Sequence, residues 1–268
     1  MICKELNTEF ENKEEMFKAL KANADKIISL KKATVKNSEG ISNIISLKDS
    51  NDKTIAGLEE GFIYPIISNT MYMDSHKDVH DNGSMNKTVK EQKGKVHYAM
   101  NHDLSIGKII AYPNDVEMLM KTVKWSDLGR AYEGTTELLM FKTNLQDYSP
   151  NDARIAIEQK LPVQNSISMI YKDIVLAVNS EDKDLRAEKK AYDNIINQIA
   201  NKEEVEKDGY LWIVKQLAIR NEGSMVTLGS NDATPIIYSE PSNKDTQIQE
   251  PLKDTQTQGK AWSFTDIY

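Results

Sequence analysis

Apolar residues recur at helical spacing near the start of the chain. Met16, Phe17, Leu20, Ala24, Ile27, Ile28 and Leu30 alternate with Lys and Glu across residues 12–32. That one-sided stripe predicts an amphipathic helix that must dock on its own domain or on a partner. From Ala33 the period shortens. Ala33-Thr34-Val35-Lys36 and Ile44-Ile45-Ser46-Leu47 are short β-prone runs, and Gly61–Ser68 is a stronger one, in which Pro65 points to an edge or a bulge. Residues 69–83 are rich in Asp, His and Asn and read as a long loop. Lys95–His102 alternates as a strand. Gly107–Tyr112 and Val116–Trp125, separated by Pro113-Asn114-Asp115, predict a hairpin.

Two helices are expected next. The first covers Leu128–Lys142. The second has Ser149 as cap, Pro150 at the first helical position and Asp152 in the first turn, and stops at Pro162. Small hydroxyl residues and apolar residues then alternate through Gln164–Tyr171, a strand over about 163–171 that puts Ser166 and Ser168 on one face. Residues 179–207 are dense in charge but carry a thin stripe of Leu185, Tyr192, Ile195, Ile196 and Ile199, which predicts a surface helix inserted between strands. Strand signals return at Tyr210–Ile219 and Ser224–Leu228. After Ser239 the chain is Asp, Thr, Gln, Lys and Pro, a polar tail expected to be disordered until Trp262-Ser263-Phe264, a short docking motif. The chain has no internal repeat. Many short strands without regular βαβ crossovers predict an α+β fold, a small barrel or sandwich with peripheral helices. Trp125 and Trp212 are expected to pack in the interior.

Composition narrows the function classes. The 268 residues are 39% hydrophobic and 28% charged, enough for a core and too apolar for disorder throughout. A net charge of −7 argues against a nucleic-acid surface. Cys3 is the one cysteine, so no disulfide forms within the chain. No apolar run reaches the roughly 18 residues of a membrane span, and the first residues lack the apolar core of a signal peptide. A soluble intracellular protein is expected.

All four histidines, His76, His80, His97 and His102, fall in one stretch. His76 and His80, with Asp74, Asp78, Asp81 and Asp103 nearby, offer imidazole and carboxylate ligands to a metal. They lie in a loop, however, without the Glu of a His-Glu-x-x-His helix. His102 closes a predicted strand between Asn101 and Asp103, where a rigidly held ring can face an open site. A serine hydroxyl needs such an imidazole to take its proton, and the imidazole needs an acceptor on its far nitrogen.

Three blocks bring these residue types together in order. Val96-His97-Tyr98-Ala99-Met100-Asn101-His102-Asp103, followed by Ile106-Gly107-Lys108, resembles a strand ending in Asn-His-Asp in the tailed-phage prohead maturation proteases, relatives of the herpesvirus assemblin. Asn165-Ser166-Ile167-Ser168-Met169 resembles that family's Ser-Ile-Gly-Phe block. Leu217 to Thr227, containing Glu222-Gly223-Ser224-Met225-Val226-Thr227, with Ser230-Asn231-Asp232-Ala233 beyond it, is similar to the family's Glu-Val-Ser-Leu-Val-Thr block and downstream Ala-Asn-x-x-Ala. The similarity spans about residues 33–238. It departs at Ser168, where the family has glycine, at Gly223, where it has a hydrophobic residue, and at the charged insertion.

The resemblance implies a herpesvirus-protease-like β-barrel with peripheral helices. It also implies a serine endopeptidase that cleaves scaffold or capsid proteins, and itself, inside the assembling prohead in the host cytoplasm. Ser166 would be the nucleophile, His102 the general base and Glu222 the third member. Asp103 is the alternative third member, and Ser168 and Ser224 are alternative nucleophiles. The implied organisation is an amphipathic helix at 1–32, a protease domain at 33–238 with a charged helical insertion at about 179–207, and a tail at 239–268. Scaffold and major capsid proteins are the implied partners, with self-association open, and no cofactor, metal, nucleic acid or membrane is implied. Two alternatives stand beside it: an inactive capsid-assembly or scaffolding protein on the same fold, favoured by Ser168, and a metallohydrolase using His76 and His80.

Overall fold

A computed structural model of the chain describes residues 2–33 and 55–239. The expected strand at Ile44–Leu47, most of the one beginning at Ala33, and the tail with its Trp262-Ser263-Phe264 motif lie outside the described residues. A small hairpin of β1 (Ile2–Cys3) and β2 (Thr8–Glu9) leads into α1 (Lys13–Ala22) and α2 (Ala24–Ala33). The single helix expected over 12–32 is therefore two. Asn12 caps the first, its side chain accepting from Glu15 N at 3.0 Å. Asn23 ends it by turning both its side-chain and its backbone N–H onto Ala19 O. Met16, Phe17, Leu20 and Ile27 from the pair enter the main core.

The rest runs β3 (Ile63–Asn69), β4 (Asp78–His80), α3 (Asn86–Glu91), β5 (His97–Met100), β6 (Ile109–Ala111), β7 (Glu117–Lys124), β8 (Thr135–Lys142), α4 (Asn151–Glu158), β9 (Gln164–Val178), α5 (Arg186–Ile195), α6 (Lys202–Asp208), β10 (Tyr210–Val226) and β11 (Ile236–Tyr238). Two larger sheets result. One has the order β11-β3-β8-β7. The other is built on β10, which pairs antiparallel with β9 along one edge and parallel with β4 and then β5 along the other, with β6 beyond β5.

The fold is mixed α+β, but its sheets are not closed into a barrel. At the corner where β9 begins, the link to the other sheet is made by side chain and loop instead of a strand ladder. Asn165 N donates to Thr234 O at 2.9 Å, and Thr234 Oγ1 donates back to Asn165 O at 2.6 Å.

The main core fills the space between the sheets, with Ile67, Leu139 and Phe141 from one side and Tyr98, Ile167, Met169, Trp212 and Val214 from the other. Tyr64, Ile66, Leu138 and Met140, on the opposite face of the first sheet, pack with Trp125 and Leu128 in a second cluster. Both tryptophans named above are fully buried. The charged segment lies between β9 and β10, but the single surface helix expected there is two, α5 and α6. Its Tyr192, Ile195, Ile196 and Ile199 pack on Ala177, Leu211 and Ile213 in a third cluster.

Several expectations are corrected. The helix expected over 128–142 is a 3-10 turn at Trp125–Leu128 followed by strand β8, with Gly129 at φ 67 ending the turn. Successive residues of β8 are buried on opposite faces, so the strand shows no period-two pattern. β6 and β7 are not a hairpin: β6 pairs with β5 and β7 with β8, so Pro113–Asp115 carries the chain from one sheet to the other. The loop at 69–83 contains β4. Ser149 is not the cap of α4: Pro150 stands at that position, and Ser149 Oγ donates to Ile110 O at 2.6 Å. The two late strands are one, β10, and β9 runs on to Val178.

Candidate active site

The sheet built on β10 brings the three blocks side by side. Glu222 is opposite His97 and Ser224 opposite Ala99 in the parallel β10–β5 register, while Ser224 is opposite Ser166 in the antiparallel β10–β9 register. Directly paired residues point to the same face, and so do residues two apart on a strand. Ser166, Ser168, Glu222 and Ser224 therefore share one face. The other face, carrying Asn165, Ile167, Met169 and Gly223, looks into the interior.

Gly223 shows why that interior side is tight. A Cβ there would stand 2.7 Å from Ile67 Cγ2 and 2.8 Å from Phe141 Cε2. The two sheets approach so closely here that the hydrophobic residue of the family pattern has no room. The space it would fill is taken by Ile67 and Phe141.

His102 does not end the strand. It lies two residues past β5 in a reversed turn, where Asn101 and His102 both have left-handed backbone, φ 52 and 58. Such residues cost about 1–3 kcal/mol each and persist only when pinned by their surroundings. Asn101 N donates to Met225 O at 2.9 Å, His102 N to Ser224 Oγ at 3.1 Å, and Asp103 N to Met100 O at 2.9 Å. The turn folds the imidazole back over β10, where Nδ1 meets Glu222 Oε1 at 2.9 Å. A carboxylate accepts and an Nδ1–H donates, so this bond selects the tautomer that leaves the lone pair on Nε2. Nε2 is buried and has no hydrogen-bond partner among the described residues.

Glu222 is itself buried, and its second oxygen, Oε2, accepts from Ser224 Oγ at 2.6 Å. Ser224 thus donates its proton to a carboxylate and has no exposure to solvent. Asp103 is exposed. It accepts from Ser105 N at 2.8 Å, a bond that holds it below the usual carboxylate range, and it does not reach the far nitrogen of His102, which Glu222 occupies.

Ser166 is buried on the shared face, and the residue before it is locked. Asn165 Oδ1 accepts from Tyr98 OH at 2.7 Å, and its Nδ2 donates to Thr234 O at 2.9 Å. The structure thus joins His102 to Glu222, and sets Ser166 across from Ser224 without a hydrogen bond to the imidazole. Ser168, two residues on, is buried on the same face.

The other histidines have other partners. His97 packs edge-on against Tyr112 at 5.7 Å, with Nδ1 3.3 Å from Asn221 O. His80 faces the interior from β4, its Nδ1 2.9 Å from Ser68 Oγ, and burial pushes it down to about 4. His76 N donates to Asp74 Oδ1 at 2.8 Å. Beside His80, Asp78 accepts from Lys31 Nζ at 2.5 Å and from Tyr171 OH at 2.8 Å, all buried. Burial and the neighbouring Asp78 push Asp74 up to about 7. Among the described residues no group of three or more His, Cys, Asp and Glu side chains is placed to hold a metal ion.

Sequence reasoning weighed Ser224 only as a nucleophile and missed Lys31 altogether. The signal for Ser224 was present, since residues two apart in a strand share a face and Glu222-x-Ser224 therefore aims a hydroxyl beside the carboxylate. Lys31 sits on a helix and meets Asp78, the first residue of β4, far along the chain, a contact no local pattern encodes. Comparison with protein-family models, with curated proteins and with solved structures returns no match to this chain.

Proposed function

We propose that the chain is a serine endopeptidase with Ser166 as nucleophile, His102 as general base and Glu222 as the orienting acid. The observation that carries this reading is the buried contact of His102 Nδ1 with Glu222 Oε1, which leaves Nε2 as a lone-pair nitrogen on the face that also carries Ser166. Ser166 Oγ attacks a peptide carbonyl carbon and passes its proton to Nε2. Glu222 keeps the tautomer and offsets the charge of the imidazolium. The protonated Nε2 then gives the proton to the departing amine as the C–N bond breaks, and water hydrolyses the acyl-enzyme by the reverse use of the same base. Apo geometry at such sites is often loose and closes on substrate, which fits the unpartnered Nε2. Leu104 and Ile106 stand exposed on the segment following the His102 turn and offer apolar contacts to a polypeptide.

The phage-maturation role, the herpesvirus-protease-like fold, self-cleavage, the scaffold and capsid partners and the site of action inside the prohead belong to the same proposal, resting on the sequence blocks. The test is expression of the wild type and Ser166→Ala with candidate scaffold and capsid proteins, read by intact mass and by labelling with a serine-directed phosphonate. New termini and a label on Ser166 in the wild type, both lost in Ser166→Ala, are expected. Labelling that survives Ser166→Ala overturns the assignment. A wild type that neither cleaves nor labels favours the inactive assembly protein, the reading that Ser168 in the family's glycine position supports.

A further inference from the structure

We infer that Ser224 is a positioning residue that fixes both halves of the His102–Glu222 pair, an inference that rests on the protease reading above. Its hydroxyl does two things at once. It donates to Glu222 Oε2 at 2.6 Å and accepts from His102 N at 3.1 Å.

The second bond stands where the backbone ladder stops. Strand β5 pairs with β10 up to Met100 opposite Met225, and Asn101 N still reaches a backbone carbonyl, Met225 O. At His102 the chain has turned into left-handed backbone, and its N–H meets a side chain instead. Ser224 therefore holds the strained residue by its own amide.

The first bond settles the carboxylate. Glu222 has two oxygens; one faces the imidazole and the other the Ser224 hydroxyl. With both occupied and solvent excluded, the carboxylate has one orientation, and that orientation fixes the imidazole ring. Ser224 is also directly across from Ser166, so it stands between the nucleophile's strand and the base's turn. An alanine leaves a buried carboxylate oxygen and the part-buried His102 amide without these partners.

The test uses the full chain, with two readouts. In cleavage kinetics, Ser224→Ala lowers kcat on the order of 10–100-fold, the effect of a lost hydrogen bond to a charged group, with KM within about twofold. In a Glu222→Ala background the same substitution costs less than about threefold, because the group it acts through is gone. In isotope-filtered proton NMR, the His102 Nδ1 proton, assigned through its change in Glu222→Ala, shifts upfield and exchanges faster in Ser224→Ala. Thermal unfolding checks that each variant is folded. A Ser224→Ala protein with wild-type kcat and an unchanged Nδ1 proton overturns the inference, and so does an equal loss in both backgrounds. A wild type that cleaves no polypeptide ends the protease reading alone, since the Nδ1 proton then still decides whether Ser224 orders the pair.

Discussion

Glu222 Oε1 stands 2.9 Å from His102 Nδ1, the carboxylate coming from β10 and the imidazole from the turn after β5. The carboxylate is used as a double acceptor, toward Nδ1–H and toward the Ser224 hydroxyl. Glutamine has one acceptor and one donor, so Glu222→Gln must reverse the Ser224 bond or force the ring into the tautomer with the proton on Nε2. In the proposed mechanism a ring in that tautomer cannot accept the proton of Ser166. The expected outcome is a loss on the order of 10²–10⁴-fold in kcat, with the fold kept, read by steady-state cleavage beside circular dichroism.

Gly223 next to it makes a prediction about stability alone. In an open strand Gly→Ala gains about 0.5–1 kcal/mol from backbone entropy. Here the new Cβ would sit 2.7 Å from Ile67 Cγ2, 2.8 Å from Phe141 Cε2 and 2.9 Å from Ile67 Cδ1. Overpacking of this kind costs about 1–3 kcal/mol and outweighs the gain. Gly223→Ala is expected to lower the urea midpoint, and to cost less in an Ile67→Val background, where Cδ1 is gone.

The two parts of the candidate site were named on different grounds. His102 stood out at the end of an alternating run, Lys95–His102, whereas Glu222 was singled out by the resemblance of its block, and the contact between them depends on the β10–β5 pairing of segments distant in the chain. Helix was expected at Leu138-Leu139-Met140-Phe141 because a strand buried on both faces shows no alternation, and only the two cores on either side of β8 reveal it. β4 was hidden by inversion: Asp78 and His80 point inward, so polar residues occupy the positions that a strand usually fills with apolar ones. The turn at Pro113-Asn114-Asp115 was visible locally, but its outcome, a crossing between sheets instead of a hairpin, depends on partners distant in the chain. The same distance hides Lys31 from any local pattern.

Lys31 anchors the N-terminal helices through the interior. Its Nζ donates to Asp78 Oδ1 at 2.5 Å, with both side chains buried. Removing one partner of a buried pair typically costs about 3–5 kcal/mol, because the other charge stays behind in the low-dielectric interior. Lys31→Met is expected to destabilise the chain by that order and to raise hydrogen exchange in α1 and α2. Lys31→Met with Asp78→Asn should recover a large part of the loss, since it removes the stranded charge. A single variant as stable as the wild type in urea would refute the anchoring role.

The interior beside that pair gives a pH dependence in which two groups oppose. Asp74 is pushed up to about 7 from an ordinary 3.8, by burial first and then by the Asp78 charge. The folded state therefore holds this proton more tightly than the unfolded chain. Stability from this group grows as pH falls from about 7 toward 3.8, and it is lost as pH rises through about 7. His80 runs the other way. Burial pushes it down to about 4 from 6.5, so the unfolded chain takes its proton first, and stability is lost as pH falls from 6.5 toward about 4. Across the overlap the two slopes offset. Asp74→Asn keeps an acceptor oxygen for His76 N and Asp78 N, which both bond Asp74 Oδ1, and removes the titration. The variant is expected to be more stable than the wild type above the Asp74 value, to lose that advantage in mild acid, and to show the His80 slope unopposed. Urea unfolding of both proteins across this range measures it, and a difference that stays constant with pH would mean that Asp74 does not titrate in the folded protein as its burial beside Asp78 requires.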